Sequence, residues 1–78
     1  MEYEFNDIPV EIDGEAHAVD YRYRESGKYG LACYITSEGK QLVVDEDFEV
    51  LESTMPKHWK QPMIDRLVAL LAVRRRNV

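Results

Sequence analysis

Pro62-Met63-Ile64-Asp65-Arg66-Leu67-Val68-Ala69-Leu70-Leu71-Ala72-Val73 is a single apolar run that leads into Arg74-Arg75-Arg76, and only Asp65 and Arg66 within it are charged. At 100° per residue, Ile64, Val68 and Leu71 cluster with Leu67, and Met63 and Leu70 widen the stripe to about 160°. A stripe of that width covers a sheet. Pro62 suits a first helical turn because it has no amide hydrogen to leave unbonded. The spacing predicts a helix over about residues 61–75, after a short turn from Pro56 to Lys60. The three arginines then complement the negative end of the helix dipole.

Upstream of the helix the apolar period is two. Ile8, Val10 and Ile12 alternate to one side, and Asp13-Gly14 supplies the positive backbone angles of a two-residue hairpin turn. That turn sets Val10 opposite His17 and Ile8 opposite Val19, so Val19, Tyr21 and Tyr23 share their face. Pro9 cannot donate to a ladder and makes the first strand an edge. Turns are expected at Glu25 to Lys28 and at Ser37 to Lys40. Leu31, Cys33 and Ile35 alternate between them, and Leu42 and Val44, then Phe48 and Val50, follow as two short strands or one bent one. The expected architecture is α+β: one domain over residues 1–78, with an antiparallel meander of four to five strands over about 3–52 and the C-terminal helix packed on one face.

With 78 residues, the chain has room for one small core. Its single cysteine forms no internal disulfide, which favours a reducing, cytoplasmic setting. The acidic start, Met1-Glu2-Tyr3-Glu4, is unlike a signal peptide, and the longest uninterrupted apolar stretch, Leu67 to Val73, is too short to span a membrane. The net charge of −5 is segregated along the chain. Residues 1–20 hold seven acids and no Lys or Arg, and residues 41–55 hold five acids and nothing basic, whereas 56–78 hold six basic groups against Asp65 alone. An acidic sheet is joined to a basic tail.

No catalytic, metal-binding or cofactor-binding motif emerges. Cys33 lies at strand spacing between Leu31 and Ile35, which reads as a packed thiol, and His17 and His58 read as surface residues with no zinc spacing. Asp45, Glu46, Asp47 and Glu49 lack the alternating Asp pattern and glycine of a calcium loop, so they read as a solvated acidic turn. The function expected is therefore non-enzymatic: a small cytoplasmic interaction or regulatory module, of the kind carried as accessory proteins by bacteria or phages. Its partner would be a basic protein surface met by Asp45, Glu46, Asp47 and Glu49, with apolar contacts from Trp59 and from Ala69 and Val73 on the helix. Ala69, Ala72 and Val73 stand where a solvated helix usually carries Lys or Glu, which also makes a homodimer through the helix an expectation.

The alternative is a single-stranded nucleic-acid-binding module. Arg22, Arg24 and Tyr34 share the outer face of the sheet, and Arg74, Arg75 and Arg76 add backbone contacts. The acidic surround disfavours it, and pairing of Arg22 and Arg24 with acids on neighbouring strands is the simpler expectation.

Overall fold

Two hairpin tips set the register of the sheet. Asp13 and Gly14 have φ angles of 53° and 82°, and Glu38 and Gly39 have 51° and 75°. Paired positive angles belong to the type I′ turn, whose twist matches that of the strands it joins. The computed structural model describes the backbone of residues 3–76 and the side chains of residues 3–73. Its elements are β1 (Tyr3–Ile12), β2 (Glu15–Ser26), β3 (Gly30–Ser37), β4 (Lys40–Val44), β5 (Val50–Ser53), a 3-10 turn (Lys57–Trp59) and α1 (Lys60–Arg76). The strands form one antiparallel sheet in chain order, with α1 on one face. The fold is α+β, and the segment after Leu42 makes two strands rather than one bent strand.

Ile8 pairs with Val19 and Val10 with His17, as the Asp13-Gly14 turn requires. Nearer its start β1 bulges, so that Asn6 and Asp7 stand against Asp20 before Phe5 meets Tyr21. Asp7 takes a left-handed φ of 55° there, and its amide donates to the Asp20 carboxylate at 2.9 Å. A second register shift falls between Val43 and Val44, opposite β5. Bulges bend a strand and interrupt its pairing, and both lie at the margins of the sheet.

The core is built from Val10, Ile12, Val19, Tyr21, Cys33, Ile35, Leu42 and Val44 on the sheet, with Met55, Trp59, Met63 and Leu67 above them. Leu31, expected with this set, is only half-buried near the start of β3. Tyr21 reaches across the two layers, and its hydroxyl donates to the Met63 carbonyl at 2.8 Å. Burial holds that phenol well above its usual pKa, so it stays protonated and donating. Among the described residues no buried side-chain polar atom lacks a partner.

The helix is rotated from its expected phase. Met63 and Leu67 are fully buried, Ile64, Leu70 and Leu71 are half-buried, and Val68 is 44% exposed. Trp59, Met63 and Leu67 recur every four residues and form the seam, which leaves Val68 a further 100° round. Val50, which resumes the strand alternation after the acidic turn, is 43% exposed: the register shift displaces β5, and the nearest strand to α1 is β1 at the opposite edge.

Tyr21→Phe removes the hydroxyl but keeps the ring, and Met63 O keeps its helical amide. The expected loss is about 1 kcal/mol with the fold retained, or roughly 4–8 °C in Tm for a domain of this size. Urea unfolding measures it; an unchanged midpoint contradicts a structural role for this bond.

Candidate interaction surface

The loop between β4 and β5 is organised by one carboxylate. Asp45 Oδ1 accepts the amides of Asp47 at 2.8 Å and Glu49 at 3.0 Å, while Asp45 and Glu49 and then Phe48 and Asp45 are joined through the backbone at 3.0 Å. An Asp side chain that captures amides two and four residues on mimics a turn of backbone. Phe48 adopts a φ of 64°, a strained angle for a bulky residue, and packs its ring on the core. The loop is thereby fixed, with Glu46, Asp47 and Glu49 pointing outward and exposed. Asp45 is half-buried and turned into the loop, so it is a scaffold for the other three.

Beside this loop, β5 is largely exposed, with Val50 at 43% and Leu51 at 38%. Glu52 follows on the outer face of the sheet opposite Val43. It accepts the Tyr29 hydroxyl at 2.6 Å and lies 3.8 Å from the Lys28 ammonium, which in turn sits 5.1 Å over the Tyr29 ring. The bond to Glu52 holds the Tyr29 hydroxyl above its usual pKa, and the bond to Tyr29 does the same for Lys28. Sequence reasoning passed over Tyr29, whose position just after a glycine turn gave no periodic signal.

The outer sheet face brings Arg22, Arg24 and Tyr34 together as predicted. They line a shallow depression of about 130 Å³ with Asp20, Thr36 and Gln41. Arg24 lies 5.5 Å over the Tyr34 ring, the geometry of a cation–π contact. Arg22 is paired with a neighbouring strand: its Nε donates to Glu4 at 2.8 Å, and the same carboxylate accepts Asn6 at 3.0 Å. Those two bonds, Asn6 first and then Arg22, hold the Glu4 carboxyl below its usual pKa. Val43 and Ala32 on this face are fully buried, flanked across the ladder by Tyr34 and Glu52 and by Arg24. Arg74, Arg75 and Arg76 lie in the last turn of α1, but their side chains fall outside the described residues.

Trp59 is 9% exposed and closes one end of the core. Its indole lies 4.7 Å from the His17 ring, with the Lys40 ammonium 5.0 Å away over its face. His17 is accordingly mostly covered, contrary to the surface position expected, because it shares the inner face with Val10 and also contacts Glu38. His58 is exposed and lies 3.4 Å from Asp13. Ala69 and Val73 are exposed on α1, about 15 Å and about 21 Å along the helix from Trp59 at 1.5 Å per residue, so the three do not form one patch. Cys33 is buried, and desolvation pushes its thiol up to about 12. It carries no thiolate at neutral pH. Among the described residues no three His, Cys, Asp or Glu side chains meet as a metal site, and no helix is long and apolar enough to cross a membrane.

No protein-family model, curated protein or solved structure matches this chain.

Asp45→Ala removes the acceptor of two amides and is expected to cost about 1–2 kcal/mol. Hydrogen exchange at the Asp47 and Glu49 amides is expected to quicken far more than in β2. Unchanged exchange there contradicts the scaffold role.

Proposed function

We propose that this protein is a non-enzymatic interaction module that offers the acidic loop after β4, and the apolar edge beside it, to a basic protein surface. One observation carries the reading: Glu46, Asp47 and Glu49 are exposed on a loop that Asp45 holds fixed, directly before exposed Val50 and Leu51. Fixed carboxylates steer a cationic partner at little ordering cost, and adjoining apolar groups retain it. The exposed strip of Val68, Ala69, Ala72 and Val73 on α1 supplies a second apolar contact, to the partner or to another copy.

The nucleic-acid reading is the weaker of the two. Glu4 occupies the Arg22 guanidinium and Asp20 borders the same depression, so a phosphate approaching Arg24 meets two carboxylates. Its aromatic, Tyr34, is already covered by Arg24.

Purification of the tagged chain from its native source is expected to recover one defined, basic partner. Combined Glu46→Lys, Asp47→Lys and Glu49→Lys is expected to weaken the reconstituted complex by about tenfold or more at ~0.15 M salt, whereas Arg22→Ala with Arg24→Ala leaves it unchanged. Recovery of the bait alone, or loss of binding only in the arginine variant, rejects the reading.

A further inference from the structure

We infer that β5 takes up an extended basic segment of the partner as a sixth strand of the sheet. This rests on the interaction reading above and specifies the chemistry of its partner. A five-stranded meander has two free edges, here β1 and β5. Free edges invite strand addition unless something blocks them. β1 is blocked. Pro9 has no amide to donate, and the Asn6–Asp7 bulge diverts the Asp7 amide to the Asp20 carboxylate.

β5 has a register shift of its own at Leu51, but it carries neither proline nor lysine, and Glu52 and Ser53 beyond the shift pair regularly with Val43 and Leu42. Val50, Leu51 and Glu52 are exposed, and the helix approaches the sheet most closely at β1. Just past the end of β5 the Thr54 amide donates to the Gln41 carbonyl at 2.8 Å and the Gln41 amide donates to Thr54 Oγ1 at 2.9 Å, so the Thr54 amide faces β4. Antiparallel pairs alternate, and the next residue, Ser53, therefore turns its N–H and C=O to the empty side. Beside that backbone lie exposed Val50 and Leu51, which suit apolar side chains at alternate positions of an added strand.

Charge selects the occupant. A second copy pairing antiparallel through β5 would bring its Glu52 within a diagonal of about 7–8 Å of this one, and one pairing in parallel register would set Glu49 and Glu52 against their own counterparts at about 5 Å. Like charges so placed repel. Lysine or arginine at alternate positions of a partner strand meets them favourably, as Lys28 already meets Glu52 at 3.8 Å within the chain.

The probe is a synthetic peptide of alternating lysine and valine, titrated into the isotope-labelled intact protein and followed by amide shifts and hydrogen exchange. Binding is expected to slow exchange at Ser53. It is expected to weaken roughly tenfold when the peptide is N-methylated at alternate amides, which keeps its charge but removes its ladder donors. Val50→Lys with Leu51→Lys is expected to abolish it; both side chains are exposed, and the N-methylation arm decides the matter should that variant fail to fold. Equal affinity for both peptides overturns strand addition and leaves the acidic interaction surface standing. No binding of either peptide at low salt rejects both. Concentration-dependent dimerisation lost in the β5 variant overturns the basic occupant in favour of a second copy.

Discussion

A buried bond between Tyr21 on β2 and the Met63 carbonyl on α1 fixes how the two layers of this protein meet. The donor is fully buried, and its raised pKa keeps the hydroxyl protonated. An unpaired phenol there would cost much of its desolvation, so the helix is held where that bond forms. β2 is next to the β1 edge, which pins the helix to one side of the sheet. Phe48, Met55 and Trp59 are left to close the rest of the core, and β5 stays uncovered.

The same bond explains which parts of the fold the sequence reveals. Local chemistry was legible: Asp13-Gly14 determined the turn, the turn determined the pairing of Val10 with His17, and Pro62 marked the first turn of α1. The rotation of α1 was not. Val68 has the hydrophobicity of a core residue, and what turns it outward is a contact between residues 42 positions apart, together with the indole of Trp59. Strand alternation likewise marks Val50 as an apolar strand position, and a bulge and an off-centre helix leave it exposed. Periodicity reports which residues are able to be buried, whereas tertiary contacts choose among them.

The charged residues divide on similar lines. The sequence shows five acids between Asp45 and Glu52, but not their separate tasks. Asp45 spends its carboxylate on loop amides, and Glu52 is held by Tyr29 and Lys28. Glu46, Asp47 and Glu49 remain outward. On the outer face, the expected pairing with the first strand holds for Arg22 through Glu4, while Arg24 turns to Tyr34. An aspartate that opens a short polar break is readable as a side-chain-stabilised turn, because its carboxylate reaches the backbone amides that follow. Cross-strand partners such as Glu52 and Tyr29 become visible only once the register is known.

Tyr21 and Met63 thus join β2 to α1 as one cooperative unit and leave β5 outside its shelter. Native-state hydrogen exchange across a denaturant series tests this division most directly. The amides of Tyr21, Ile35 and Leu67 are expected to exchange only through global unfolding, and the β5 amides bonded to β4 through a separate opening of lower free energy. If α1 opens ahead of the sheet, or β5 is protected to the same limit as β2, the account is contradicted.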